Sequence, residues 1–342
     1  MSNAVTITPE LASFSKEIKD LNLTPLWERT VSQQPGTPCK GKIWSWSDLE
    51  PKLLESTRLI GTKDAERRVL MLENPVLPGT SFSTQTLFTG LQIILPGEVA
   101  SAHRHTPNAL RFVVKGKGAY TSVEGERTMM SPGDFIVTPN WAWHDHGNIG
   151  NEPVVWMDGL DSAFTKFFGA TFREDYPVDV QPLYRSEGDA IATFGSALLP
   201  VEYKFEGHAS PLLVYPYART REALHHLQKT QAAHPSHGVK LRYANPANGK
   251  YPFPTMAAFM QLLPKGYCGR PYRTTESQVF NVAEGHGSVK VGDETFHFGP
   301  HDIFVVPPWN TVSFDVGEDC VVFSYTDRAA QDALGFLREE ML

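Results

Sequence analysis

Pro96-Gly97-Glu98-Val99-Ala100-Ser101-Ala102-His103-Arg104-His105, with the apolar run Leu110-Arg111-Phe112-Val113-Val114 close behind it, decides how this chain is read. A Pro-Gly turn followed by β-branched and apolar residues marks a strand. Side chains alternate with a period of two along a strand, so His103 and His105 project from one face, as two imidazoles sharing one metal ion must. Read as a continuation of that strand, Arg111 lies six residues beyond His105 and projects from the same face. A third imidazole, His144, follows the turn residues Gly133-Asp134 and Pro139-Asn140-Trp141-Ala142-Trp143, and His146 stands two places further on.

Three neutral imidazoles leave the charge of a divalent ion uncompensated and, in octahedral geometry, leave three positions open. Such a centre attracts anionic chelators. Imidazole suits Fe, Zn, Cu and Ni alike, and the open positions are the feature shared with oxygen-activating ferrous sites. An inward Arg111 calls for an anion, either a ligand carboxylate or a buried aspartate. His146, inward beside the metal, is placed to accept a phenolic proton.

From Val69 onward the texture is short β-branched and aromatic runs cut by Gly97, Gly116, Gly118, Gly125, Gly133 and Pro139, which predicts a mainly-β sandwich or barrel. The pattern recurs. At an offset of 168, Pro96, Phe112, Val114, Val123, Asp134, Pro139 and Trp141 fall on Pro264, Phe280, Val282, Val291, Asp302, Pro307 and Trp309. Gly116 and Gly118 meet Gly285 and Gly287 after one insertion, so two copies of one small barrel are expected. At the same offset His103, His105, Arg111, His144 and His146 become Pro271, Arg273, Val279, Val312 and Phe314, and a slip of one offers Tyr272, Thr274 and Ser313. The second copy has lost the ligands.

The 342 residues suffice for about two domains. With 41% hydrophobic and 20% charged residues the chain is an ordinary globular one. A net charge of −7 without a basic run argues against nucleic acid as a partner. Three scattered cysteines fit a reducing compartment, and no apolar run of about 18 residues suggests a membrane span, so a cytoplasmic protein is expected. Helices are expected after Thr8-Pro9, after a Ser47/Glu50 capping pair, and after Thr220 with Leu224 and Leu227.

A His-x-His strand with a later His resembles the two cupin motifs, which meet inside a jelly-roll barrel. The Glu that cupins commonly add is missing, since Thr106 to Phe112 holds no carboxylate. A longer set of motifs resembles the gentisate 1,2-dioxygenase family, which includes salicylate and 1-hydroxy-2-naphthoate dioxygenases. These are Glu66-Arg67-Arg68-Val69-Leu70, Gln92, Pro96-Gly97-Glu98, Ala109-Leu110-Arg111-Phe112, Trp143-His144-Asp145-His146-Gly147-Asn148, Trp156-Met157-Asp158-Gly159-Leu160-Asp161 and Tyr243-Ala244-Asn245-Pro246.

The resemblance implies a bicupin with a few peripheral helices: an N-terminal helical segment over 1–65, a metal-bearing barrel over 66–160, a one-helix connector over 161–250, and a ligand-free barrel with a C-terminal helix over 251–342. It implies one Fe(II) per chain on His103, His105 and His144, in the N-terminal barrel. The implied reaction is oxygen-dependent opening of the ring bond between the carboxyl- and hydroxyl-bearing carbons of gentisate or a 5-substituted salicylate, 5-nitro- or 5-halosalicylate among them. Arg67 enters as a second anion clamp, with Arg68 outward; Gln92 would orient substrate or oxygen and Asp158 a ligating histidine. Phe88 and Gly90 precede Gln92, and Gly90 is expected to leave room beside the ring. The family also implies a homo-oligomer, a tetramer. Rival readings are a bicupin that only binds a small ligand, and another cupin metalloenzyme.

Overall fold

The computed structural model describes residues 7–29, 31–196 and 198–342. The chain divides into two compact units, one ending at Gly36 and one running from Thr37 to Leu342. In the first, the helix Pro9–Asp20 starts as its sequence predicts: Thr8 Oγ1 accepts a hydrogen bond from the Leu11 amide at 3.2 Å, and Pro9 occupies the first turn.

The second unit is built on four antiparallel sheets. One barrel pairs a six-stranded sheet (in order Val214–Tyr215, Phe135–Thr138, Ala109–Lys115, Val154–Leu160, Phe88–Ile94, Val69–Met71) with a five-stranded one (Arg173–Asp175, Val99–His105, His144–Asn148, Ala119–Val123, Glu126–Met129). The other repeats both orders with Lys42–Trp44, Ile303–Val306, Gln278–Glu284, Cys320–Thr326, Ala257–Leu263 and Val239–Arg242, and with Glu339–Met341, Tyr272–Thr274, Val312–Val316, Gly287–Val291 and Glu294–Phe298. The fold is thus mainly β and duplicated.

Register refines the repeat. Arg111 lies opposite Ile136 and Phe280 opposite Phe304, while His103 lies opposite His144 and Tyr272 opposite Val312. The offset is therefore 169 for the strands from Phe88–Ile94 through Ala109–Lys115, 168 for those from Ala119–Val123 to His144–Asn148, and 166 for the last, Val154–Leu160 against Cys320–Thr326. The true counterparts of His103, His105 and Arg111 are Tyr272, Thr274 and Phe280, and Gly287 corresponds to Ala119, not Gly118. Matching strain marks the alignment: Trp141 and Trp309 both have φ of 62°, and their amides bond the carbonyls of His105 and Thr274. Gly116 and Gly285 also agree, for a Cβ at either would strike a backbone oxygen, Pro153 O at 2.2 Å and Asp319 O at 2.5 Å.

The two six-stranded sheets pack back to back. Alternate residues of one (Leu91, Ile93, Leu110, Phe112, Val155, Met157) meet those of the other (Met260, Leu262, Val279, Val305, Val321, Phe323) in one buried cluster, with Phe112 and Phe323 stacked at 4.3 Å. A fully buried aliphatic or aromatic side chain contributes roughly 1.5–3 kcal/mol, so this interface is a main source of cohesion between the barrels.

Three local expectations are corrected. The helix Trp46–Leu59 is preceded by Ser45, whose hydroxyl bonds Asp48 Oδ2 at 2.6 Å, so the Ser-x-x-acid pair falls two residues before Ser47 and Glu50. Thr220 lies inside the helix Tyr217–Thr230, its hydroxyl bonding back to the Pro216 carbonyl. The stretch 161–250 carries three helices among the described residues, Ser162–Phe167, Asp189–Phe194 and Tyr217–Thr230, instead of one. It also donates outer strands to both barrels.

Candidate functional site

The interior of the first barrel is apolar at one end, where Ile94, Val113, Met130, Ile136, Val154 and Trp156 cluster, and polar at the other. At the polar end the ligating atoms of His103, His105 and His144 all lie within 4.8 Å of one another. A register shift between Ala100 and His103 in the strand Val99–His105 aims the last residues at the partner strand's His144. Such bulges re-aim side chains beside functional sites.

Each of these three imidazoles is oriented by a backbone carbonyl. Nδ1 of His103 donates to Ser101 O at 2.8 Å, that of His105 to Pro107 O at 2.8 Å, and that of His144 to Ala142 O at 2.9 Å. This fixes the tautomer in which every Nε2 is unprotonated and able to accept, and His144 Nε2, fully buried, has no partner among the described residues. Burial lowers the pKa of all three, His103 to about 2 and His105 to about 4, so they are neutral donors at neutral pH. An orphaned buried nitrogen beside two others is what a metal ion satisfies, and this group can hold one.

Around this group lie two guanidinium side chains. Arg67 places Nη1 2.8 Å from His103 Nε2, and no carboxylate of a described residue stands within ion-pair distance of it. Arg111 is 2% exposed. Its Nε lies 3.2 Å from Asp158 Oδ1, Nη1 donates to Thr138 Oγ1 at 2.5 Å, and Nη2 donates to His146 Nε2 at 3.0 Å. Burial depresses Arg111 to about 10 and raises Asp158, yet Arg111 stays charged at neutral pH.

Several expectations change in detail. Arg111 does point inward, but not by the parity argued above: the strand Val99–His105 ends before it, and Ala109–Lys115 belongs to the opposite sheet. Asp158 orients no ligating histidine; it pairs with Arg111 and accepts from Trp156 Nε1 at 3.2 Å. His146 has both nitrogens engaged, Nδ1 with Thr121 Oγ1 at 3.0 Å and Nε2 with Arg111, and burial pushes its pKa well down. It is therefore a neutral acceptor that positions Arg111, and its lone pair is not free to take a proton. Arg68 does not face outward: it is buried in an ion pair with Glu98. Gly90 opens no space, since a Cβ there would meet Val69 Cγ1 at 2.5 Å and the Phe88 ring at 3.2 Å, so those side chains already fill it.

Gln92 is buried opposite Trp156, and Phe88 begins the same strand. Thr121 and Thr138, which hold His146 and Arg111, escaped the sequence reading, because hydroxyls carry no spacing signal, and Trp156, quoted there within a motif, was given no role although its indole holds Asp158. Arg104 escaped it too: its guanidinium stacks over Trp141 and Trp143 at 4.4 and 4.5 Å and pairs with Glu174 at 2.6 Å, bracing the outer side of the histidine strand. A cavity of about 970 Å³, bordered by Arg67, His103, Glu98 and Arg173, reaches the group from outside.

The jelly-roll barrel and its three carbonyl-oriented histidines define a cupin with a metal-binding centre, and the cupin domain family matches residues 90–160. Over 97% of both chains the sequence is 47% identical to gentisate 1,2 dioxygenase 1 of Aquipseudomonas alcaligenes. It is 34% identical to a gentisate 1,2-dioxygenase of a Streptomyces species, over 94% of this chain and 93% of the relative. The crystal structure of salicylate 1,2-dioxygenase from Pseudoaminobacter salicylatoxidans in adducts with gentisate matches with a TM-score of 0.92 at 31% identity, covering 100% of this chain and 96% of that one. The chain belongs to the gentisate 1,2-dioxygenase family of ring-cleaving oxidoreductases. No helix among the described residues is long and apolar enough to cross a membrane.

Proposed function

We propose that this enzyme opens the ring of gentisate, and of 5-substituted salicylates such as 5-nitro- or 5-halosalicylate, between the carboxyl- and hydroxyl-bearing carbons, with one Fe(II) held by His103, His105 and His144. The observation that carries the proposal is the convergence of three unprotonated Nε2 atoms beside an arginine that has no carboxylate partner among the described residues. Ferrous ion bound there supplies Lewis acidity, electrons for dioxygen, and positions open to a carboxylate with an ortho-hydroxyl.

The protein's own residues do the rest. Arg67 gives up its contact with His103 Nε2 when that lone pair is used, and its charge then serves the substrate carboxylate. Arg111, held by Asp158, Thr138 and His146, keeps further N–H groups for oxyanion character on the substrate. Gln92 and Phe88 line the inner face of their strand, the amide to orient and the ring to contact the aromatic acid. The three cysteines, none of them in a disulfide, support a cytoplasmic setting. Exposed Phe167, Phe168 and Phe172 support a homo-oligomer.

Protein purified anaerobically and loaded with ferrous ion is expected to bind about one iron per chain. Oxygen uptake is then followed with gentisate, salicylate, 5-nitrosalicylate, 5-chlorosalicylate and 1-hydroxy-2-naphthoate. Uptake with gentisate supports the proposal; iron bound without uptake on any of the five overturns it.

A further inference from the structure

The second barrel has lost every ligand, yet its polar mouth is not simply filled in. Where the first barrel has His103 and His144 the second has Tyr272 and Val312. Gln92, across from Trp156, has its counterpart in Gln261, across from Val322. The outermost strand differs most: Val69 lies opposite Gln92, whereas Lys240 lies opposite Gln261. The result is a cavity of about 330 Å³ bordered by charged and aromatic side chains.

Its charges do not cancel. Glu276 pairs with Arg328 at 2.7 Å, and Glu339 lies 3.4 Å from the same arginine and 3.5 Å from His237. Arg242 donates to the Gly249 carbonyl and stacks on Tyr251. Lys240 has no carboxylate within ion-pair distance among the described residues; its ammonium sits 4.6 Å from the centre of the Phe259 ring. Three cations thus face two carboxylates. Gln278, 2% exposed, uses its oxygen to accept from Tyr272 Oη at 3.4 Å but leaves Nε2 without any partner. A buried amide donor without an acceptor is destabilising, and a ligand oxygen would satisfy it.

We infer that the second barrel is a metal-free binding site for an aromatic carboxylate monoanion, taken by Lys240 and Gln278. One surplus positive charge selects a monoanion, two uncommitted donors fit the oxygens of a carboxylate, and the rings of Phe259 and Tyr272 form walls for a flat apolar body. The inference is independent of the chemistry proposed for the first barrel.

Benzoate is the probe, because without an ortho-hydroxyl it chelates metal poorly. Its binding to the iron-loaded enzyme is measured by calorimetry under anaerobic conditions, alongside Lys240→Met, Gln278→Leu and Arg67→Ala, with melting temperature and iron content checking each fold. The expected results are a benzoate dissociation constant raised at least tenfold by Lys240→Met and several-fold by Gln278→Leu, and unchanged in Arg67→Ala. Gln278→Leu decides the matter alone if Lys240→Met does not fold. Affinity unaffected in both second-barrel variants, affinity lost in Arg67→Ala, no heat at millimolar benzoate, or equal affinity for sulfate would each overturn the inference.

Discussion

Arg111→Ala tests how the polar end of the first barrel is held together. The substitution removes the counter-ion of Asp158, the donor to His146 Nε2 and the donor to Thr138, all buried. Stranding one member of a buried ion pair costs about 3–5 kcal/mol. With roughly 2.1 cal/mol/K per residue of unfolding entropy, 342 residues give about 0.7 kcal/mol/K, so the melting temperature should fall by about 4–7 °C. Removing the stranded charge as well, in Arg111→Ala with Asp158→Ala, should recover part of that loss, because the remaining cavity costs less than an unpaired carboxylate. The assay is differential scanning calorimetry of both variants, with metal content and kcat/KM on gentisate measured in parallel. Iron content is expected to hold, since the three ligands take their orientation from backbone carbonyls and not from Arg111, while kcat/KM falls at least a hundredfold. A single variant that melts within 1 °C of the parent would refute the ion-pair argument. Loss of iron would make Arg111 a support of the metal centre.

His144→Ala should reduce bound iron below a tenth per chain by elemental analysis, while His225→Ala, on the exposed side of the helix Tyr217–Thr230, should leave it intact. His105 titrates at about 4 when folded against about 6.5 when unfolded, so its neutral form favours folding above 6.5 and that contribution is lost as pH falls toward 4. Metal-stripped protein should therefore lose on the order of 1 kcal/mol per such histidine by pH 5.5, and His105→Asn should flatten the dependence of melting temperature on pH; parallel slopes would count against it. Gly90→Ala should cost about 1–3 kcal/mol by overpacking against Val69, with recovery in the double variant carrying Val69→Ala, read by thermal melting. A thiol reagent should titrate one cysteine in the native protein, exposed Cys268, and three after denaturation, since Cys39 and Cys320 are buried and burial pushes the Cys320 thiol up to about 12.

By itself the sequence determined what depends on period, punctuation and residue type. Alternation put His103 and His105 on one face, turn glycines and prolines cut the strands, a self-match near 168 residues revealed the duplication, and the missing histidines of the second copy told which barrel has the group that could hold a metal. Those signals are local, because a strand's side-chain period and a turn's backbone demands are set by neighbouring residues. Only the tertiary structure decided which groups meet across the barrel. It brought Arg111 from one sheet against His146 of the other, gave Asp158 to Arg111 instead of a histidine, buried Arg68 on Glu98, filled the space at Gly90 with Val69, and left Lys240 over the Phe259 ring with no carboxylate partner among the described residues. A one-residue slip between early and late strands was invisible in the self-match, yet it exchanges the inward and outward faces of a strand. Such contacts join residues 19 to 47 positions apart, and no spacing rule records them, because their energy is fixed by burial and by which partner completes each polar group.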